Sequence, residues 1–552
     1  MSAPGGVNGG GPVQRLREVV GQAAASVRGS DGEAPLATLE RPPRAEFGDY
    51  STNVALLLAP SLKAPPREIA QAVGESLSAG LGDVLDRVEV AGPGFLNVFL
   101  ADAWFRRALA QVLDEGERFG AGALPADLRQ RMLVEFVSAN PTGPVTAASG
   151  RHAAYGDSLC RVLELCGHDV EREFYVNDYG TQVDLFAKSI AARMRDSDPP
   201  EEGYQGEYVA DLARQLAEEG IDPSDEEALA RRGIELMVGR ITATLERFRV
   251  QFDRFFSERT VHDEGKLAAA LDELGSEPIY ESEGATWFRA TAYGDDKDRV
   301  LRRSSGEPTY FAADIAYHND KRGRGYDRLI NVLGADHHGY VARMKAAFAA
   351  LGEPERIELV MMQLVNVVER GERAQMSKRK GEFVALDDLI DDIGVDAARF
   401  FLLQRSHDTP LDLDLDLARE RSQENPVYYV QYAHARIASI LRNAGEERVR
   451  AAEQADLLAG GAALEPAERA LVKRLLELPE EALEAAERRA PHRLTAYAHD
   501  LASDFHAFYR DCRVVGAEPA ELEDFRLSLC AAARSVIARV LALLGVEAPE
   551  QM

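Results

Sequence analysis

Apolar positions change their spacing along the chain, and each change predicts a different kind of element. After a Gly/Pro-rich start, residues 13 to about 120 mix a helical opening, strand-like stretches at Val88 to Val90 and Phe95 to Leu100, and an apolar helix from Trp104 to Leu113. That mixture predicts a small α+β domain. Gly120, Gly122 and Pro125 break the pattern between Phe119 and Leu128, which places a boundary there. An apolar strand, Met132 to Val137, then leads into the loop Ser138 to Pro144, a helical pattern from about Ser149 to Cys166 that stops at Gly167, and a second strand from Asp169 to Val176. Strand, loop, helix, strand is a βαβ unit. Its crossover is almost always right-handed, and its loop opens at the carboxyl edge of a parallel sheet, where ligands bind.

The helical, charged stretch from about Val183 to Arg254 interrupts this alternation, and strands return at Arg328 to Leu333 and Ile357 to Val367. From Asp396 onward the pattern is almost wholly helical, with periodic runs at 425–442, 466–488, 491–513 and 521–544 that predict a bundle. The expected fold class is α/β. A Rossmann-like parallel-sheet domain at 121–404 carries a helical insertion at about 183–260; an α+β domain at 13–120 precedes it, an all-helical domain at 405–552 follows, and residues 1–12 form a disordered tail.

Composition narrows the class. With 552 residues, 45% of them hydrophobic, the chain can bury several cores, three or four units at about 100 to 200 residues per domain. The four cysteines, at 160, 166, 512 and 530, show neither the C-x-x-C spacing of a zinc site nor a disulfide framework, and read as reduced thiols of a cytoplasmic protein. No apolar run reaches the ~20 residues that span a bilayer, so no membrane partner is expected. Sixty-four Lys plus Arg against 92 Asp plus Glu give a net charge of −28, which disfavours indiscriminate binding to polyanions. Contact with nucleic acid then requires local basic and aromatic patches.

Certain segments can carry chemistry. Val134-Glu-Phe-Val-Ser-Ala-Asn-Pro-Thr-Gly-Pro144 sets a carboxylate at the end of an apolar strand and polar groups in the loop after it. Burying Glu135 is costly unless it meets a positive charge, so it suits a guanidinium or ammonium ligand; the bland alternative is an edge-strand glutamate facing water. Gln375-Met-Ser-Lys-Arg-Lys380, ahead of Gly381, is a basic loop whose lysines can meet a triphosphate and a departing pyrophosphate, or else a solvated turn. Gly334-Ala-Asp-His-His-Gly-Tyr340 follows another apolar strand, and there Asp336 can accept hydrogen bonds from ribose hydroxyls. The adjacent histidines lack the third spaced ligand of a metal site, so no metal ligands are expected.

Taken together these segments resemble the class I arginyl-tRNA synthetases, from about residue 13 to Met552. The resemblance rests on an ordered series: Gly48-Asp-Tyr-Ser-Thr-Asn53 and Gly92-Pro-Gly-Phe-Leu-Asn97; Val134 to Pro144; Thr309-Tyr-Phe-Ala-Ala-Asp-Ile-Ala-Tyr-His318; Gly334 to Tyr340; Met376-Ser-Lys-Arg379; Asp396-Ala-Ala-Arg399; and Asn425-Pro-Val-Tyr-Tyr-Val-Gln-Tyr-Ala-His-Ala-Arg436. It implies an arginine–tRNA ligase. In that reaction the carboxylate of L-arginine attacks the α-phosphate of ATP, giving arginyl-adenylate and pyrophosphate. The terminal adenosine of the tRNA then takes the arginyl group and AMP leaves. Such catalysis is mainly positioning plus stabilisation of phosphate charge. The resemblance also implies Mg²⁺, activation that needs bound tRNA, a monomer, a helical domain that binds the anticodon arm, and an N-terminal domain on the outer corner of the tRNA.

Residue by residue, the resemblance puts Glu135, Ser138 and Asn140 in the arginine site, with Tyr310 and Asp314 facing the guanidinium. A guanidinium between two carboxylates would exclude lysine, which cannot form the bidentate hydrogen bonds. Thr146, Ser149, His152, Gly334, Asp336, His337, Met376 and Lys378 fall at ATP-site positions. Ser377, Lys378 and Arg379 fall in the catalytic loop, Lys378 on the pyrophosphate, and Tyr429, Tyr432, Arg436, Tyr509 and Met552 at positions that meet the anticodon arm.

The sequence departs from the family pattern on the ATP side. Thr146-Ala-Ala-Ser149 stands where the family has histidine, an apolar residue, glycine and histidine, and Gln375 replaces a usual lysine. Ser149 is a candidate N-cap that preserves an anion-binding helix end, and His152, three residues on, shares a neighbouring part of the same face. These losses leave an alternative: a catalytically silent relative that binds tRNA or arginine as a regulator.

Overall fold

A computed structural model describes residues 11–29, 38–263, 265–373 and 384–552, except for the side chains of Ala45, Asp263, Asp336 and His338. Of the tail expected at 1–12, residues 1–10 lie outside the described residues and Pro12 is already helical. The first unit opens with α1 (Pro12–Arg28), β1 (Tyr50–Thr52), α2 (Val54–Leu62) and α3 (Pro66–Leu81), followed by β2 (Leu85–Ala91), β3 (Phe95–Leu100) and α4 (Asp102–Glu115). Its antiparallel sheet, in the order β1-β3-β2, packs on α2 and α3, an α+β arrangement as the mixed spacing predicts.

The second unit runs through β4 (Arg131–Glu135), α5 (Ala147–Cys166), β5 (Asp169–Val176), α6 (Thr181–Met194), α7 (Glu207–Glu218), α8 (Glu226–Arg247) and β6 (Arg254–Ser257). Then come α9 (Arg259–Asp263), α10 (Lys266–Leu274), a small antiparallel sheet of β7 (Ile279–Ser282), β8 (Ala285–Phe288) and β9 (Arg299–Arg302), α11 (Tyr310–Gly323), β10 (Arg328–Gly334), α12 (His338–Ala350) and β11 (Ile357–Met362). Five strands form one parallel sheet in the order β11-β10-β4-β5-β6, so the chain reverses direction across the sheet between β4 and β10. Ligands of doubly wound sheets bind at such a switch point.

Alternation along these strands decides what faces the site. Met132 and Val134 join the main core with Phe174, Ile330 and Val332, while Leu133 and Leu329 face a second core that includes residues of α11 and α12. Glu135, two residues beyond Leu133, is on the second side, level with Asn331 on β10 and Glu173 on β5. On the main-core side α5 approaches the sheet through Gly156. A Cβ there would lie 2.1 Å from the Phe136 ring, so any larger residue would push the helix off the sheet.

Two expected elements differ from their predicted spans. The helical stretch placed at about 183–260 stops at Arg247, and Arg254–Ser257 is instead the edge strand of the parallel sheet. The apolar run Ile357 to Val367 divides: β11 stays in the parallel sheet, whereas β12 (Val365–Glu369) pairs with β13 (Glu372–Arg373) and β14 (Leu411–Asp414) in another.

The helical part comprises α13 (Leu386–Leu403), kinked at Gly394, then α14 (Leu415–Arg419), α15 (Pro426–Ala444), α16 (Glu446–Glu453), α17 (Pro466–Leu476), α18 (Leu478–Glu487), α19 (His492–Asp511) and α20 (Ala520–Leu543). The run expected as one helix at 466–488 is two, because Pro479 in the first turn of α18 cannot donate to a helix continuing from α17. The Asp396–Arg399 motif ties these parts together. Arg399 is fully buried; it donates to Leu544 O at 2.8 Å, to Phe248 O at 2.9 Å and to Asp157 Oδ2 on α5 at 2.5 Å. Gly545 leaves room for it, since a Cβ there would meet the guanidinium at 2.2 Å. The first unit is fastened to the helical part by the buried pair Asp49–Lys473, 2.9 Å apart. Among the described residues no helix is long and apolar enough to cross a membrane.

Candidate active site

The carboxyl edge of the parallel sheet gathers most of the residues expected at the arginine site, and among them Glu135 is already paired within the protein. It is 6% exposed on a central strand, so it is neither an edge residue in water nor an open carboxylate. Its Oε1 accepts from Ser138 Oγ at 3.0 Å, and its Oε2 accepts from Tyr317 OH at 3.0 Å, from Asn331 Nδ2 at 2.7 Å and from the ammonium of Lys321. Both oxygens are engaged within the protein, and Lys321 supplies a positive charge that the sequence alone left to a ligand. Glu135 also shapes the loop. Val137 and Ser138 take positive φ values of 67° and 39°, costly for a β-branched valine, and Ser138 Oγ secures the turn by also accepting Tyr175 N at 3.1 Å. Beyond the turn Asn140 is exposed, and its amide is held by Gln182 at 2.7 Å and Asn177 at 2.9 Å.

Asp314 and a residue the sequence did not single out, Glu258, form the reactive feature of this edge. Asp314 lies one turn after Tyr310 on α11, a helix whose start is capped by Thr309. Burial pushes its carboxyl up to about 7; Arg343 on α12 draws it down, but Glu258 and Glu135 push it further up. Glu258, 5% exposed at the end of β6, is likewise raised to about 7 by burial; a hydrogen bond from Tyr175 opposes that rise and Asp178 adds to it. The nearest basic ring, His262 Nε2, is 3.9 Å from Glu258 Oε1. Asp314 is held back from ionising by burial and by Glu258, and Glu258 by burial and by Asp178, so a cation brought to this edge would favour the charged form of both. Tyr310 is 67% exposed, with its hydroxyl 3.8 Å from the space above Gly180, at the rim of the loop leading to α6. Glu258 carries a weaker form of the signal at Glu135, an acid one serine beyond the apolar pair Phe255-Phe256.

At the edge where the sequence places the nucleotide, Thr146, not Ser149, caps α5: its Oγ1 accepts from Ser149 N at 3.1 Å, and the two hydroxyls lie 3.1 Å apart. The helix start is also laced to the start of α13, with Ala147 N donating to Val384 O and Leu386 N to Val145 O, each at 2.8 Å. Two of the three free amides of the first turn are therefore used inside the protein, and the helix end offers its dipole and hydroxyls more than a row of open donors. His152 is half-buried one turn on from Ser149. Gly334 ends β10, and the exposed His337 stands edge-on to Tyr340 with ring centres 6.4 Å apart. The side chain of Asp336 and the whole of Met376, Ser377, Lys378 and Arg379 lie outside the described residues; the chain re-enters the structure at Val384, on the start of α5.

The third cluster lies on α15 and α19. Arg436 donates to Tyr432 OH at 2.7 Å, with its guanidinium carbon 4.5 Å from the Tyr432 ring centre and 5.0 Å from that of Tyr509. Tyr429 packs on His506 and His499, with ring centres 4.8 and 5.1 Å away. Burial, reinforced by Arg436, pushes His506 down to about 4, so it fills space as a neutral ring. Tyr509 is 43% exposed. The chain end runs along α15, accepting from Gln431 at Glu547 O and from Arg442 at Glu550 O, and Met552 is exposed beyond it.

Comparison with known proteins covers the chain in three consecutive parts. A family model described as the arginyl-tRNA synthetase N-terminal domain matches residues 14–100, one described as the class I (R) tRNA synthetase catalytic domain matches 109–414, and one described as the DALR anticodon-binding domain matches 430–552. The arginine–tRNA ligase of Heliobacterium modesticaldum is 46% identical over 98% of this chain and 99% of its own length; that of Frankia alni is also 46% identical, over 93% and 94%. The solved arginyl-tRNA synthetase of Thermus thermophilus superposes with a TM-score of 0.74 at 26% identity, over 98% of this chain and 99% of that one. With three domain models matched in succession and relatives 46% identical over nearly the whole chain, the chain belongs to the arginyl-tRNA synthetases, the class I arginine–tRNA ligases.

Proposed function

We propose that Asp314 and Glu258 together receive the guanidinium of arginine, and that Tyr310, Ser138 and Asn140 enclose the rest of the amino acid at the carboxyl edge of the sheet. The observation that carries this reading is the pair of acids raised to about 7, which one delocalised cation would settle at once. Lysine, a point charge with no planar fork, would leave one acid unanswered. From there the α-carboxylate of arginine attacks the α-phosphate of ATP, whose phosphates face Thr146, Ser149 and His152, with its ribose toward Gly334, Asp336 and His337. Lys378, flanked by Met376, Ser377 and Arg379, takes the charge that develops on pyrophosphate. Mg²⁺ enters as the ATP complex, held chiefly by phosphate oxygens; among the described residues no three acidic, histidine or cysteine side chains converge to hold it unaided.

Tyr429, Tyr432, Arg436, Tyr509 and Met552 meet the anticodon arm, stacking on splayed bases at roughly 1–3 kcal/mol each, which a patch this small can supply on an acidic protein. We place the enzyme in the cytoplasm, a reducing compartment that suits its four free, buried cysteines, and read it as a monomer. The silent-regulator alternative has no observation on its side. The test incubates the pure protein with ATP, labelled arginine and tRNA bearing arginine anticodons. Charging is expected, and absence of charging with tight tRNA binding retained would select the regulator.

A further inference from the structure

We propose that Lys321, which no part of the reaction touches, is the residue that sets the charge of the arginine pocket: it neutralises the acids behind the pocket, so that Asp314 and Glu258 alone answer the substrate. This rests on the reading that those two acids hold the guanidinium. Lys321 lies seven residues after Asp314 on α11, two helical turns along the same face, and is fully buried. Its ammonium is bonded to Glu135, lies 3.3 Å from Asn331 Oδ1 and 3.9 Å from Glu173 Oε1, and sits 4.3 Å from the centre of the Tyr317 ring.

The groups on every surrounding element can be counted. β4 contributes Glu135; β5 contributes Glu173 and Tyr175; β10 contributes Asn331; the turn after α11 contributes Arg324, bidentate to Glu173 at 2.6 and 3.1 Å. Arg254 at the start of β6 adds a longer contact to Glu173, 3.7 Å. Tyr317 donates toward Glu135 and Glu173, which holds its hydroxyl protonated, its ionisation pushed well above the ordinary range by burial and those acids. His318 is neutral. Its Nε2 accepts from Asn331 Nδ2 at 3.1 Å, so its Nδ1 carries the proton and donates to Asp314 O at 2.9 Å, and burial pushes its pKa down to about 3. On the pocket side stand Glu258, Asp314, Tyr340 and Arg343, where Glu135 already acts on Asp314 through its field.

Glu171 and Asp320 complete this layer with Glu135 and Glu173, against Lys321, Arg324 and Arg254; the arginines answer Glu173, Glu171 and Asp320, and Lys321 is the cation that answers Glu135. Remove Lys321 and a third unbalanced acid stands behind the pocket, holding back the ionisation that arginine needs. Remove Glu135 instead and the spare ammonium favours that ionisation. Lys321 is thus a positioning residue that acts through the pocket acids, and its signature is the pH range of arginine binding.

The test measures the KM for arginine and for ATP in tRNA-dependent pyrophosphate exchange from pH 6 to 9. Lys321→Met should move the midpoint of the arginine profile up by about one pH unit, raising the arginine KM at pH 7 roughly 30-fold with little change in the ATP KM. Glu135→Gln should move the midpoint down, and Lys321→Met/Glu135→Gln should bring it back toward the parent. If the lysine variant alone does not fold, the other two carry the test. Unmoved midpoints in Glu135→Gln and in the double variant's comparison with it, while Asp314→Asn cripples arginine use, would overturn the role of Lys321. An Asp314→Asn enzyme with the parent's arginine KM would instead overturn the guanidinium reading on which it rests.

Discussion

Under the proposed function Asp314→Asn tests the arginine pocket at its centre, and the two raised carboxyls set the size of the effect. With Asp314 and Glu258 each near 7, about a quarter of ligand-free molecules carry both charges at pH 7, roughly 80% at pH 8 and about 1% at pH 6. Since apparent affinity scales with that fraction, the parent's KM for arginine should rise on the order of 100-fold between pH 8 and pH 6. Asparagine keeps the shape but removes one ionisation, so the same interval should give only about tenfold. It also removes a bidentate, charge-assisted pair, about 3–4 kcal/mol, which corresponds to a loss of roughly 10²–10³ in kcat/KM for arginine.

Stability should move the other way. A carboxyl whose folded value is raised from 3.8 to about 7 contributes stability that is present at low pH and lost as pH rises through 7. Discounted for the partial exposure of Asp314, the ligand-free variant should gain about 1–2 kcal/mol at pH 8, or about 1–3 °C in Tm. Steady-state pyrophosphate exchange across pH and thermal unfolding at pH 8 read both quantities. A kcat/KM within threefold of the parent together with a flat pH profile would refute the reasoning.

Lys378→Ala should suppress arginine activation by orders of magnitude in the same exchange assay, and a near-normal rate would remove Lys378 from the mechanism. His152→Ala should lower tRNA-dependent activation far more than arginine binding measured by calorimetry; equal losses would assign the histidine to packing. Arg399→Met leaves the buried Asp157 carboxylate to Arg161 alone and frees the Leu544 and Phe248 carbonyls, and should cost about 2–4 kcal/mol in chemical unfolding; a cost under 1 kcal/mol would deny the motif its tying role. Tyr432→Ala should weaken tRNA binding by about 1–3 kcal/mol in filter binding and leave Tm within a few degrees; unchanged tRNA affinity would return this tyrosine to helix packing.

How much of this was legible in the sequence depends on the range of the interaction. The βαβ unit could be read because its signals are local: β5 covers Asp169–Val176 as the spacing predicts, and Gly167 ends α5. Glu135 could be read as a buried acid seeking a cation, but not as one already satisfied, since Lys321 lies 186 residues away in sequence. Glu258 escaped because β6 is four residues long and follows a charged helix, so periodicity absorbed it into the helical stretch. The division of Ile357 to Val367 into two sheets was invisible for a tertiary reason: Gln363 N donates to His407 O at 2.8 Å, a contact that turns the chain out of the parallel sheet. β14 has the alternation of a strand, Leu-Asp-Leu-Asp, but is too short to stand out against the helices around it.

Under the proposed function, the expected ATP side keeps its helix start while its side chains differ from the family pattern the sequence resembles. Histidines at positions 146 and 149 would offer charge-assisted donors to phosphate; threonine and serine offer neutral ones, and here they first bond to one another and to the helix start. The amide of Ala147 is spent on Val384 as well, so the helix end lends its dipole but few open N–H groups. A triphosphate brought to this edge of a protein with net charge −28 still needs positive charge. Val384 to Leu386, laced to Val145 and Ala147, directly follow the segment that contains Lys378, Arg379 and Lys380. Under the proposed function, the charge that two histidines would have shared therefore falls to that basic segment, and pyrophosphate exchange should be more sensitive to its lysines than to either hydroxyl.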